Sequence, residues 1–356
     1  MRFMKGFFLF VLVLVVSDAN AQVVSIGSLA EAGHWKRVRN ILQTQPPASE
    51  AERTYWSARV KHAFGDLDGA EGLARKAIAL DNNNAAYHRE LSAICLDELA
   101  NHPGMFRTMR LAHDVKSELE TVLTLDPKNI DAMSALMEYD WSAPSIGGGD
   151  REMAQKLTDR IAQTDAIRGY LARARIDELS GGAQITTAEG LLRTAVQSAP
   201  RDYRAHITLA EFYLLTTKNY MSAIQEAKAA IALAPDRSRP YADLATVYAR
   251  GQNWNELDEL LTQAEKAVPE DLNPYYQAAK TLLLEGRDFD RAEKYFRKYL
   301  TQEPEGQQPP IAGAHWRLGL VLEKEGKKPY AISELEKSLR LQPDFGPAKE
   351  DLARLR

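Results

Sequence analysis

The sequence predicts an all-α chain: a solenoid of about nine helix-turn-helix units closed by a C-terminal cap helix. Three observations carry that prediction. Apolar residues recur three and four apart in block after block, the spacing of one helix face. Prolines stand at 200, 235, 269, 304 and 343, at spacings of 35, 34, 35 and 39. Before each proline the same set of helix-packing positions returns: Ala188, Leu192, Ala195; Ala223, Ala227, Ala230; Leu257, Leu261, Ala264; Ala292, Phe296, Tyr299; and Ala331, Leu335, Ser338. A unit of about 34 residues cannot bury its own apolar face, so neighbours must stack.

The first residues of the chain look like an address rather than part of this fold. Arg2 and Lys5 precede an apolar run from Gly6 to Val16, and Ala19-Asn20-Ala21 suits a signal peptidase cutting between Ala21 and Gln22. As a helix the run spans about 16 Å, roughly half a bilayer's hydrocarbon core, which argues against a permanent membrane span. The expectation is a signal peptide over 1–21, an exported chain, periplasmic or secreted in a bacterium, and a single solenoid domain over 22–356.

Residues 24–46, with Gly33, Trp35 and Leu42, form a degenerate first pair. Phe64, Gly65, Asp66, Ala70, Ala74, Ala77 and Asn82 give a better copy that lacks only the proline. From 85 to 127 a second helix ends in Leu119, Val122 and Pro127, and His102-Pro103-Gly104 marks a longer loop between the two helices. These looser units, 24–165, contain one break in the period, Ala143-Pro144-Ser145-Ile146-Gly147-Gly148-Gly149-Asp150. The glycines permit positive φ and close backbone approach, and Asp150 is placed to cap the helix that starts at Arg151-Glu152. With no Lys-Ser/Thr pair after the glycines and no strand before them, segment 143–150 is a structural elbow rather than a phosphate loop.

The regular units occupy 166–343. Their first helices repeat a large residue, a small one and an apolar one three further on: Leu209, Ala210, Tyr213; Leu244, Ala245, Tyr248; Leu318, Gly319, Leu322. The small residue, at Ala210, Ala245 or Ala279, lets the helix approach its partner while its neighbours fill the sides. Each proline disfavours the helical conformation of the residue before it and ends a unit. Acidic or amide residues beside the proline, as in Asp126-Pro127 and Pro235-Asp236, can cap the next first helix. The tail through Leu352-Ala353-Arg354-Leu355 is a cap helix over 346–356, which an open stack requires.

This ladder of residues resembles the tetratricopeptide repeat over nearly the whole mature chain. The segment with Ala143-Pro144 and Gly147-Gly148-Gly149-Asp150 is similar to one found in a group of exported bacterial tetratricopeptide proteins. The resemblance implies a right-handed α-solenoid of TPR-like units whose first helices line a concave groove. It also implies which positions face that groove: Arg204 and Glu211, Arg239 and Thr246, Asn273, Tyr276 and Lys280, then Trp316 and Glu323. Tyr276 and Trp316 are the expected partner anchors, or else inter-repeat packing. Arg204, Arg239 and Lys280 are placed to meet a carboxylate or acidic segment. Ile207 and Glu211 stand where chaperone-binding relatives carry the Lys and Asn of a two-carboxylate clamp, so that clamp is not matched.

Composition and motifs narrow the function. With 45 Lys and Arg against 49 Asp and Glu, net −4, the chain lacks the cationic excess of a nucleic-acid binder. Cys95 is the only cysteine, which excludes an internal disulfide and a paired-thiol site, and it is expected to be buried and inert. His34, His62, His88, His102, His113, His206 and His315 are dispersed without metalloprotease spacing, and no nucleophile elbow or Walker loop is present. The expectation is a non-catalytic scaffold with no cofactor or metal that holds a protein or peptide in its groove. The alternative is a small-ligand or transport-accessory protein with an enclosed pocket near residues 141–180.

Overall fold

The computed structural model describes residues 25–101, 104–306 and 309–356. The expected signal peptide lies outside these residues, as do His102 and Pro103 of the expected loop. Among the described residues the chain is all-α, a right-handed solenoid of nine helical pairs and a cap helix. The first pair is α1 (Ile26–Ala32) and α2 (Trp35–Thr44), followed by α3 (Glu50–Ala63) with α4 (Leu67–Leu80) and α5 (Ala85–Ala100) with α6 (Met105–Leu125). The next are α7 (Ile130–Ser142) with α8 (Arg151–Thr164), α9 (Ala166–Ser180) with α10 (Gln184–Ser198), and α11 (Tyr203–Glu211) with α12 (Tyr220–Leu233). The last are α13 (Arg239–Gly251) with α14 (Trp254–Ala267), α15 (Asn273–Glu285) with α16 (Phe289–Tyr299), α17 (Ile311–Lys324) with α18 (Lys328–Leu341), and the cap α19 (Gly346–Leu355).

Local sequence sets the helix starts. Asp66, Asn84, Asn129, Asp150, Asp165 and Asp202 each accept a backbone N–H at the start of α4, α5, α7, α8, α9 and α11. Of the residues beside the prolines, the amide Asn129 caps α7, while neither of the two named acids, Asp126 and Asp236, caps a helix. Asp126 instead accepts from Asn129 Nδ2 at 3.0 Å and leaves Asn129 as the cap of α7. Asp236 gives α13 no cap and lies 3.8 Å from His34. A further departure is that α11 runs on into a π-helical turn, Phe212–Thr217, which ends at Lys218 with φ 56°.

The small residues lie where helices touch. Ala210, Ala245 and Ala279 are buried against second helices that contribute Ala227, Leu257, Leu261, Ala264 and Ala292. The core is a ribbon rather than a ball. One apolar cluster runs from Ala210 to Leu355, another from Ala58 to Ala172, and a third ties Leu29, Ala30 and Val38 of the first pair to Tyr55, Trp56 and Tyr87. The cap helix completes the ribbon by burying Ala348, Leu352 and Leu355.

The elbow is packed against its own unit and against α6 of the unit before it. Ser145–Gly147 form one 3-10 turn, and Gly148 takes φ 88°. A Cβ on Gly149 would lie 2.0 Å from the Ala143 carbonyl oxygen, so only glycine fits there. Lys116 Nζ donates to Gly148 O at 2.9 Å and to Asp140 Oδ1 at 3.1 Å, and the Tyr139 hydroxyl donates to Gly147 O at 2.5 Å.

Candidate binding groove

Residues of α11, α13 and α15 border one cavity of about 780 Å³, lined by Arg204, Glu211, Arg239 and Asn273 among the expected groove positions. Arg204 lies 3.2 Å from Asp131 of α7, and Arg89 of α5 reaches the same carboxylate at 2.8 Å. Arg239 pairs with Glu211. Burial raises the Glu211 carboxyl above its usual range, opposed by Arg239, and burial together with Glu211 pushes neighbouring Asp243 up to about 7. The cations at these positions are therefore already spent on carboxylates of the chain itself.

The far end of the groove differs. Asn273, Tyr276, Gln277, Lys280, Trp316, Arg317 and Phe345 border a second recess of about 430 Å³. The Arg317 guanidinium sits 5.7 Å from the Tyr276 ring and 4.7 Å from the Trp316 ring. Burial and neighbouring Arg317 both lower the Lys280 ammonium below its usual range. Among the described residues no carboxylate forms an ion pair with Lys280 or Arg317, although most arginines of the chain have one.

The two expected aromatic anchors divide. Tyr276 is only 3% exposed, with its ring 5.6 Å from Phe296 and 5.0 Å from Tyr299. The register of α15 turns it onto α16, so it is a core residue with one edge on the recess. Trp316 is half-buried. Its indole N–H donates to Asp351 Oδ2 at 2.8 Å, and its ring meets Phe345 edge-on at 5.6 Å. Thr246 donates to Ala242 O within its own helix, and Glu323 pairs with Arg354 of the cap. Arg317 was missed by sequence reasoning, although it follows Trp316 directly and its register was readable.

The first pair was missed as a wall of the groove. Ala30–Trp35 border the 780 Å³ cavity opposite α11 and α13, and no local pattern in residues 24–46 signals this. The separate enclosed pocket expected near 141–180 is not supported. Residues 143–150 line none of these cavities. Leu171, Arg175 and Glu178 border a 360 Å³ recess that belongs to the same groove, with Glu211 and Arg239 on its other side.

His88, His206 and His315 have structural partners. His88 bridges Glu118 (2.5 Å) and the Asn82 carbonyl (2.9 Å), and His206 bridges Glu226 (2.6 Å) and the Pro200 carbonyl (3.1 Å). Tyr241, at the same register, donates to Pro235 O at 3.1 Å, and His315 meets Glu334 at 2.7 Å. Each ties a first helix to its second helix or to the turn before it. Cys95 is fully buried between helices, and burial pushes its thiol up to about 12. Among the described residues no three His, Cys, Asp or Glu side chains are grouped to hold a metal ion, and no helix is long and apolar enough to cross a membrane.

Comparison with known proteins places the repeats. The tetratricopeptide repeat family model matches residues 168–238 and 274–344. No curated protein sequence matches the chain. Similar solved structures include yeast Tom70, at 14% identity over 93% of this chain and 79% of that one, TM-score 0.48. Cut9 in the APC/C hetero-tetramer Cut9–Hcn1 is 15% identical over 93% and 75%, TM-score 0.45. Human IFIT1, in a dimer with PPP-AAAA, is 18% identical over 90% and 80%, TM-score 0.46. Residues 168–238 and 274–344 thus match the tetratricopeptide repeat within an all-α solenoid.

Proposed function

We propose that this protein is an exported, non-catalytic scaffold that holds a protein or peptide partner in its concave groove, with an acidic segment of the partner seated at the C-terminal end. The observation that supports this most directly is the pair Lys280 and Arg317, half-buried side by side without a carboxylate and walled by Trp316 and Phe345. Two desolvated like charges repel each other, and a partner's carboxylate relieves that cost. Asn273 and Gln277 supply hydrogen bonds beside them. Arg204, Arg239 and Glu211, paired within the chain, contribute charge that a partner meets only by exchanging these contacts.

Export is supported by Arg2, Lys5, the apolar run from Gly6 to Val16 and Ala19-Asn20-Ala21. N-terminal sequencing of protein from the envelope should begin at Gln22, and a soluble cytoplasmic pool beginning at Met1 refutes it. For the groove, a photo-crosslinking side chain placed at Gln277 should capture the same envelope protein repeatedly, while one at exposed Lys294 on α16 should not. Lys280→Glu should reduce the capture from Gln277 most strongly at low salt, where exposed charge is least screened. Equal capture from both positions, indifferent to Lys280→Glu, rejects the groove.

A further inference from the structure

Long-range contacts join the first helical pair to turns in the C-terminal half of the superhelix. From α2, Lys36 Nζ donates to the carbonyls of Glu270 (2.5 Å) and Glu303 (2.7 Å) and lies 3.5 Å from Glu305 Oε2. Arg37 Nε lies 2.5 Å from Glu270 Oε1, and Arg39 makes a two-pronged contact with the Glu303 carboxylate at 2.9 and 2.5 Å. His34 lies 3.1 Å from Glu270 and 3.8 Å from Asp236. One side of this seam is basic, from a single turn of α2 and its approach. The other is acidic, from the turns that follow α12, α14 and α16.

The seam is held differently from the rest of the molecule. The first pair is fixed to α3 and α5 by the apolar cluster of Leu29, Ala30, Val38, Tyr55, Trp56 and Tyr87. That cluster shares no residue with the one running from Ala210 to Leu355. Trp35 lies on the seam, beside Gly306, but it stacks under Arg59 of its own side. Charge rather than apolar burial therefore closes the superhelix, and part of that charge is wet: the Arg39 and Glu303 side chains are 36% and 50% exposed. Ion pairs of this kind weaken with salt, whereas the apolar clusters do not.

Closure also covers the groove, since Ala30–Trp35 form the wall of the 780 Å³ cavity opposite Arg204, Thr208 and Arg239. We propose that the first helical pair is an ionic clasp that holds the superhelix shut over its own groove, and that its release admits the partner. This rests on the groove being the binding surface. When the seam breaks, the first pair stays packed on α3 and the solenoid opens like a spring, its repeats intact.

Opening is readable without any partner. The radius of gyration from small-angle X-ray scattering should increase between low and molar salt, with helical circular dichroism unchanged. Thr208→Cys, half-buried on the cavity wall, reports access to a bulky polyethylene-glycol maleimide, and the inert Cys95 thiol does not compete. Its labelling should accelerate on the order of tenfold when the several pairs are screened, and equally in Arg39→Glu at low salt. Adding Glu303→Arg to Arg39→Glu should restore slow labelling. Should Arg39→Glu fold poorly, Arg39→Gln and the salt titration of the otherwise unaltered Thr208→Cys chain carry the same test. A radius and labelling rate indifferent to salt and to Arg39→Gln overturn the clasp. If the solenoid opens but crosslinking from Gln277 to its partner stays at the closed-state level, the gate is overturned; loss of all crosslinking with opening intact refutes the groove reading instead.

Discussion

The Lys36 backbone N–H donates to Glu305 Oε1 over 2.6 Å although 269 positions separate the two residues. The Glu305 side chain is 3% exposed, and burial pushes its carboxyl up to about 7, opposed by Lys36. A carboxyl whose folded pKa is raised binds its proton more tightly when folded. Stability therefore falls as pH rises from the unfolded value of about 4.5 to about 7, and the cost is complete above that. Glu305→Gln keeps an acceptor for the Lys36 N–H and removes the charge. Relative to wild type it should gain about 2 kcal/mol on going from pH 5 to pH 8. Urea midpoints at the two pH values check this, and parallel shifts in both proteins contradict it.

His62 predicts the opposite trend. Burial alone would lower its imidazolium, but Asp97 Oδ2 at 3.0 Å and Glu90 Oε1 at 2.7 Å outweigh burial and hold it up at about 9. A base with a raised folded pKa contributes stability fully below about 6.5, lost as pH rises through about 9. His62→Gln should cost about 2 kcal/mol at pH 6 and much less at pH 9.5. A cost independent of pH would show that packing rather than charge fixes this side chain.

Close helix approach predicts sensitivity to added methyl groups. A Cβ on Gly169 of α9 would lie 2.5 Å from both Cα and Cβ of Ala162 on α8. Gly169→Ala should therefore cost about 1–3 kcal/mol, outweighing the roughly 1 kcal/mol that alanine gains in a helix interior. Ala245→Leu, at a fully buried contact, should cost a similar amount, about 1–3 kcal/mol. Unchanged thermal midpoints would place these residues off the contact.

Trp316 and Lys280 should separate stability from recognition. Trp316→Ala removes the Asp351 bond and the edge contact with Phe345, two of the contacts that hold the cap. It should destabilise the C-terminal units by about 3 kcal/mol, with amide exchange rising across α19. Lys280→Glu removes repulsion with Arg317 and should leave the thermal midpoint equal or higher. A large loss of stability in Lys280→Glu would mean that its ammonium has a structural partner.

The repeat ladder was legible because it is local. Small residues at Ala210, Ala245 and Ala279, spaced for one helix face, can pack only against another helix, and prolines after each second helix punctuate the stack. Asp150 as a cap, the Gly147–Gly149 elbow and the buried Cys95 were legible for the same reason. Beside Pro127 the amide Asn129 rather than Asp126 caps α7, and beside Pro235 no side chain caps α13. Asp236 instead lies 3.8 Å from His34, 202 positions earlier in the sequence.

The sequence by itself therefore determined the helices, their pairing into nine units and the side on which each unit stacks, because these depend on spacings of three, four and about 34 residues. Only the tertiary structure decided which groove residues remain free. Whether Arg239 meets a partner or Glu211, whether Tyr276 faces the groove or Phe296, and whether Lys36 reaches Glu305 depend on how small rotations between successive units add up along the superhelix. No short window of sequence encodes that sum. It brings basic residues of the first pair against acidic turns in the C-terminal half and leaves Lys280 and Arg317 without a counterion among the described residues.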